Sequence, residues 1–344
     1  MMSPEPSIHD VAEMAGVSIA TVSRVINKRD RVSPGTRQTV DRAINRLKYR
    51  PNTRARALSS RRTDNLGLVL PDFMGDYYGR LMEGVDEGAR IAGLHLMVTK
   101  AKSGEDKRDA VERLLVEGRV DGAILMLDQP DEDLLDQITQ VKGPLVVLDL
   151  DVGHRHLNNV LIDNRTGARD AADHLIHAHN LRNLIFVGGP ENNIDTRERE
   201  EGFRDALKSA GIAVYKNRFF FTDYDYEAGY KLAVHICSRL TKDKRWGVIA
   251  ANDDLARGFM EALIRKGYRV PEDVAVIGYD DSRLADLTRP PLSSVQVPLN
   301  EVGRTAVKII MDNIHNPAFR PTKIILKGTL VLRSSCGCPD NSRE

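Results

Sequence analysis

Several polar side chains fall where runs of apolar, β-forming residues stop, and their types suit the capture of hydroxyl groups. Asp72 follows LGLVLP, Asp149 ends LVVLD, Asn252 and Asp253 follow VIAA, and Asp280 ends VIGYD. An ionised carboxylate only accepts hydrogen bonds and can take two adjacent hydroxyls of a sugar, while Arg199 and Asn252 supply donors. Tyr77 and Tyr78 can stack on a ring face. The competing reading of each aspartate is a helix cap. Chemistry beyond binding is not visible. There is no G-x-S-x-G, and Val187-Gly188-Gly189-Pro190 is neither a dinucleotide nor a Walker loop. The nine histidines are scattered. His154, His156, His174, His177 and His179 read as solvated surface or helix faces rather than metal ligands. Of three cysteines, Cys237 is alone and Cys336 and Cys338 flank one glycine. An odd count without ligand-spaced partners reads as inert thiols. No catalytic residue, metal or cofactor is expected.

The strand ends need strands. From Leu66 onward, apolar runs at 66–70, 94–98, 123–127, 145–150, 160–162, 184–187, 248–250 and 274–277 alternate with helical stretches. The helices are predicted at 79–92, 105–117, 165–179, 197–210, 226–240, 254–266 and 299–315. Continuous apolar strands alternating with helices predict parallel sheets covered on both faces. The series is too long for one such unit, and a break near residue 162 suggests two lobes. In open α/β sheets, ligands sit in the crevice beyond the carboxyl ends of the strands.

The first sixty residues have a different texture. Apolar residues recur at helical spacing at Ile8, Val11, Ala12 and Ala15, at Val22, Val25 and Ile26, and at Val40, Ala43, Ile44 and Leu47. Gly16 permits the positive φ of a tight turn, and Ser18 can cap the next helix. Ser33-Pro34 signals the start of a third helix. This is a helix-turn-helix pattern, whose second helix suits a major groove, and on helix spacing alone any small three-helix domain is the alternative. Arg24 can pair bidentately with guanine or contact a phosphate, and Ile19 or Ala20 can touch a thymine methyl. Ser18, Thr21, Ser23 and Asn27 suit phosphates. Pro51 then disfavours helix at Arg50, and Asn52 can cap a short helix from Thr53 to Ser59. That helix is too short to be stable alone in water.

Charge supports the nucleic-acid reading. Residues 1–62 hold 13 Lys/Arg against 5 Asp/Glu, and the rest of the 344-residue chain holds 37 against 44. A basic module on a mildly acidic body is the footprint of a nucleic-acid binder, which the overall net charge of +1 conceals. Hydrophobic residues at 41% and charged residues at 29% fit a globular protein. No run of about 18 apolar residues is present. No signal-peptide core is visible, so a cytoplasmic location is expected.

Residues 8–58 resemble the headpiece and hinge of the LacI/GalR family of bacterial transcription regulators, on the runs DVAEMAGVS, ATVSRVIN and YRPNTRARAL. VIGYDD, ANDDLARG and REREEGF extend the resemblance to the family's effector-site segments. The resemblance implies an α/β protein: a three-helix helix-turn-helix headpiece (1–49), a hinge helix and linker (50–62), and a two-lobed, periplasmic-binding-protein-like body. It also implies three crossings between lobes, with one lobe formed by 63–162 plus 293–323 and the other by 163–292 plus 324–338. Asn52, Arg56 and Leu58 would contact DNA. Leu58, apolar on a basic segment, would be a wedge that kinks the minor groove, or would pack two hinges together. Asp72, Tyr77, Tyr78, Asp149, Arg199, Asn252, Asp253 and Asp280 would bind the effector. Two departures leave effector identity open: the aromatic pair is Tyr77-Tyr78 after Gly75-Asp76, and the Gly-His before the second lobe's first strand is His179-Asn180.

The expected protein is a regulator, most simply a repressor, that binds a palindromic operator as a homodimer and is controlled by a small, sugar-like effector. A dimer is expected because no long C-terminal heptad helix is visible. The main alternative is a solute-binding protein of the periplasmic type, and an enzyme on the same architecture is the other.

Overall fold

The computed structural model describes residues 6–26, 32–49, 62–102, 104–129, 131–153, 155–316 and 318–339. It contains two compact units, Met1–Thr63 and Asp64–Glu344.

In the first unit, helix α1 (Ile8–Ala15) starts with a capping box. Ser7 N donates to Asp10 Oδ2 at 2.7 Å, and Asp10 N donates to Ser7 Oγ at 3.4 Å. Gly16 ends it at φ 64°. Thr21 N donates to Ser18 Oγ at 3.2 Å, so Ser18 caps α2 (Ile19–Ile26). Ser33 caps α3 (Pro34–Leu47) with proline in its first turn. Val11, Ala12, Val22, Val25, Val40 and Ala43 form the shared core. The three predicted helices are therefore present, and the pattern of small apolar residues is what lets them pack closely.

The second unit is built on two six-stranded sheets. The first has the order β11-β5-β4-β3-β1-β2, from β1 (Asn65–Leu70), β2 (His95–Lys100), β3 (Gly122–Met126), β4 (Leu145–Leu148), β5 (Asn158–Ile162) and β11 (Lys323–Leu326), all parallel. The second has the order β12-β10-β9-β8-β6-β7, from β6 (Asn183–Gly188), β7 (Phe219–Phe221), β8 (Trp246–Ala250), β9 (Val274–Asp280), β10 (Ser293–Gln296) and β12 (Thr329–Val331). Its one antiparallel pair joins β10 to β12. Strands β3, β4 and β5 are buried throughout, as expected of strands covered on both faces. Strand order reverses beside β1 in one sheet and beside β6 in the other, which places a topological switch point in each lobe.

The lobe boundaries differ from those expected at two places. Ser293–Gln296, expected to open the return to the first lobe, pairs with β9 in the second sheet. The run SSVQ did not read as a strand because its buried side chains are serines. Ser294 Oγ donates to Asp253 Oδ1 at 2.6 Å and Ser293 Oγ to Arg333 O at 2.9 Å, which removes the cost of burying them. Lys323–Leu326 completes the first sheet beside β5, so the last crossing follows residue 326 rather than 323. The short strands β7, β11 and β12 also gave no clear sequence signal.

Glycines set the closest helix contacts. A Cβ on Gly84 of the helix Asp76–Ile91 would collide with the Asn300 carbonyl of Leu299–His315. A Cβ on Gly258 of Asp253–Arg265 would collide with the Tyr226 carbonyl of Tyr226–Ile236. Among the described residues no helix is long and apolar enough to cross a membrane.

Candidate functional site

In the first unit, α2 turns Val22 and Val25 into the core and leaves Ser18, Ile19, Ala20 and Arg24 exposed. Ile19 is 39% exposed at the start of the helix. An isoleucine held in water on an otherwise ordered helix is suited to an apolar contact elsewhere. Thr21 and Ser23 are half-buried. Ser18 Oγ also lies 2.9 Å from Thr21 Oγ1. Asn27, Asn52, Arg56 and Leu58 lie outside the described residues.

In the second unit, the loops after β1, β3 and β4 meet those after β6, β7, β8 and β9 around one cleft with about 1060 Å³ of empty space, partly open to solvent. Tyr77, Tyr78, Asp149, Arg199, Asn252, Asp253 and Asp280 all line it. The two tyrosines stand in the first turn of Asp76–Ile91, which begins three residues before the predicted helix. Asp72 does not line the cleft. It pairs with Lys100 at 2.6 Å and accepts from Phe73 N at 2.7 Å, and Lys100 holds its pKa down at about 2. Its place after β1 was legible, but Lys100 on the edge strand draws it aside.

The strand-end aspartates differ in what they touch. Asp149 follows β4 at φ 66°, and Tyr77 Oη donates to its Oδ2 at 3.2 Å. Burial, together with nearby Asp195, pushes its pKa well up. Asp280 ends β9 at φ 98°. Its Oδ1 has no hydrogen-bond partner, and burial raises its pKa well above the usual range despite Arg199. Two non-glycine residues with positive φ, one at the rim of each lobe, are strained positions of the kind that gather at binding sites. Asp253 is instead fully engaged: it accepts from Ser294 Oγ and from Ser282 N at 2.5 Å, with burial raising its pKa to about 7. Asn252 caps its helix through Leu255 N at 2.9 Å and donates to Tyr224 O at 3.0 Å.

Arg199 is 2% exposed and lies in the second turn of Ile194–Ser209 rather than at its start. It donates to Asn164 Oδ1 at 2.9 Å, Ala251 O at 2.5 Å and Asp195 Oδ2 at 3.3 Å, and its guanidinium sits 3.9 Å from the Tyr279 ring centre. It therefore organises the second lobe's wall as much as it faces the cleft. Asp195, Asn193 and Tyr224, which end no apolar run, also line the cleft. Tyr224 Oη donates to Asn193 Oδ1 at 3.0 Å. The signal available for Asp195 was its position four residues before Arg199, on the same helix face. Among the described residues, seven aspartates line the cleft against one arginine, so its field favours neutral or cationic ligands over anions.

The lobes are tied beside the cleft. Arg80 of the first lobe donates to the carbonyls of Asp280, Asp281 and Val297 at 2.9, 3.0 and 3.1 Å. Ile194 N donates to Asp128 O at 3.2 Å.

Elsewhere, His174 and His179, which read as solvated surface or helix faces, are half-buried, His174 on the helix Asn164–His177, and converge with Cys336 and Cys338, with all four potential ligand atoms within 4.8 Å of one another. Residues 157 or more positions apart in sequence carry no spacing signal.

Comparison with known proteins agrees with both halves of the molecule. Residues 7–52 match the family model "Bacterial regulatory proteins, lacI family", and residues 172–336 match "Periplasmic binding protein-like domain". The chain is 33% identical to the HTH-type transcriptional regulator CelR of Thermobifida fusca over 96% of this chain and 98% of that protein. A solved CelR–cellobiose complex superposes with a TM-score of 0.71 at 33% identity, covering 96% of this chain and 99% of the other. The lac repressor dimer bound to operator and the anti-inducer ONPF superposes with a TM-score of 0.85 at 26% identity, covering 97% and 99%.

Proposed function

The chain belongs to the lacI family of bacterial regulatory proteins, and from that premise we propose that this transcriptional regulator reads an operator with α2 and senses a neutral, polyhydroxylated effector in the interlobe cleft. The observation that carries the effector class is the pair Asp149 and Asp280. They are carboxylates on opposite lobes, both strained, and one has an unpartnered oxygen. Sugar hydroxyls donate to such oxygens, and Tyr77 or Tyr78 offers a ring face. The acidic lining disfavours phosphosugars. That CelR has been solved with cellobiose supports a carbohydrate.

A ligand gripping both lobes changes their relative orientation only if it binds one arrangement better, and that difference sets how far it shifts operator affinity. The active species is a homodimer reading a palindrome, a proposal supported by the lac repressor dimer on its operator. No reaction is assigned: the cleft's polar groups are engaged in holding one another or poised to accept hydrogen bonds. The exposed, basic helix-turn-helix favours this reading over a solute-binding protein.

A thermal-shift screen of neutral mono- and disaccharides, phosphosugars and nucleobases, followed by a gel shift with each hit, tests the proposal. A neutral sugar that stabilises the protein and changes operator binding is expected. A response confined to phosphosugars or nucleobases overturns the effector class. Equal affinity for operator and random duplex overturns the DNA reading.

A further inference from the structure

Away from the cleft, the geometry points to a structural zinc site formed by His174, His179, Cys336 and Cys338. His174 lies in the last turn of the helix Asn164–His177, and His179 lies two residues beyond it. Cys336 ends the 3-10 turn Ser334–Cys336, and Cys338 follows Gly337. The other end of that long helix contacts Arg199 through Asn164. A rise of 1.5 Å per residue puts the two ends about 20 Å apart.

Four of the six spacings between the ligand atoms are close to a tetrahedron's edges, and all six lie within 4.8 Å. Zinc bonds of about 2.05 Å to nitrogen and 2.3 Å to sulfur imply edges of about 3.3 Å between nitrogens and about 3.6 Å between nitrogen and sulfur. The two Nε2 atoms are 3.2 Å apart. Cys338 Sγ lies 3.3 Å from His174 Nε2 and 3.4 Å from His179 Nε2, and Cys336 Sγ lies 3.7 Å from His174 Nε2. Four protein ligands close the coordination sphere, which marks a structural site rather than a catalytic one. Two thiolates and two imidazoles suit zinc over harder, oxygen-seeking cations.

The surrounding fold aims these atoms at one point. Ser335 N donates to Pro291 O at 2.9 Å and Ser335 Oγ to Val276 O at 2.7 Å, which pins the tail beside the second sheet. Gly337 at φ 104° makes the reversal that turns both thiols to the same side. The histidines are separated by four residues, a spacing common in zinc sites, whereas one residue between cysteines is shorter than usual. On binding, Zn²⁺ displaces the two thiol protons to solvent, giving an electrically neutral centre. The metal would fasten the tail after β12 to the far end of the helix Asn164–His177.

The test is metal analysis and cobalt titration of untagged, full-length, reduced protein. One equivalent of zinc per chain is expected. Co²⁺ added to metal-stripped protein should give the intense visible bands of tetrahedral cobalt and thiolate charge transfer, saturating at one equivalent and displaced by Zn²⁺. Cys338→Ser should lose about half or more of the charge-transfer intensity, which scales with the number of thiolate ligands, while Cys237→Ser should keep it. If Cys338→Ser fails to fold, the wild-type spectrum still decides. The proposal is overturned if reduced wild-type protein binds no metal, if its cobalt spectrum is that of an octahedral site, or if the spectrum survives at full intensity in a folded Cys338→Ser variant. A Cys336–Cys338 disulfide that persists under reducing conditions overturns it too.

Discussion

Arg199 Nη1 stands 3.8 Å from Asp280 Oδ1, close enough for attraction and too far for a hydrogen bond. The arginine is committed to Asn164, Ala251 and Asp195, so this oxygen is held near a cation without being satisfied by it. A ligand hydroxyl can complete it. Asp280 can therefore serve binding without serving stability.

Asp280→Asn should lower effector affinity by about ten- to a hundredfold, since a hydrogen bond to a charged acceptor is worth roughly 1.5–3 kcal/mol. Its effect on the unliganded protein should be neutral or favourable. Burial raises the folded-state pKa of Asp280, so its charge costs the unliganded fold free energy that a ligand hydroxyl offsets, whereas asparagine carries no charge to bury. Calorimetric titration beside a melting curve checks both. Normal effector affinity, or loss of fold and effector together, would make Asp280 a structural residue.

Glu198 supplies a pH dependence. Burial raises its pKa from 4.5 to about 7, although Asn164 Nδ2 donates to it at 3.2 Å. Because the folded value lies above the unfolded one, its stabilising contribution is complete below 4.5 and is lost as pH rises through about 7. Glu198→Gln should therefore flatten the fall in melting temperature across that window. Parallel curves for variant and wild type would show that Glu198 is not the titrating group. Asp253, also near 7, contributes with the same sign and remains in the variant.

Gly258→Ala should destabilise the body by about 1–3 kcal/mol, the usual cost of forcing a methyl group into a packed contact. The added carbon meets the Tyr226 carbonyl, which is backbone and cannot rotate away. The denaturant midpoint for the second unit should fall with an unchanged slope. An unchanged midpoint would mean that the two helices separate at little cost.

Arg24→Ala should cost about 1–3 kcal/mol in operator binding and relax preference at one base position. With roughly six to ten phosphate contacts per dimer, wild-type affinity should fall by about three to five decades between 50 and 200 mM salt. Fluorescence anisotropy on a panel of single-base operator variants reads both. A uniform loss over all sequences would move Arg24 to the phosphate contacts.

The sequence by itself determined the three headpiece helices, eight of the twelve strands and most of the helices between them. Period-3.6 apolar spacing with Ser7, Ser18 and Ser33 at helix starts defines the headpiece. Fully apolar strands define parallel sheets, and polar residues at their ends define where a ligand would sit. These signals are local, because burial of one face and capping of one terminus are decided within a few residues. Tertiary structure decided which of the strand-end residues share a wall and what each is paired with. Asp72 left the cleft for Lys100, a partner 28 residues away, whereas Asp195 and Tyr224 joined it. Asp253 and Asn252 line it with their hydrogen-bonding capacity already used. The strand Ser293–Gln296 is likewise invisible as an apolar run, because buried serines become tolerable only once Asp253 and Arg333 are in reach. The meeting of His174 and His179 with Cys336 and Cys338 is the extreme case. Pairwise chemistry depends on distance, and for residues this far apart in the chain only the packing of the sheets sets that distance.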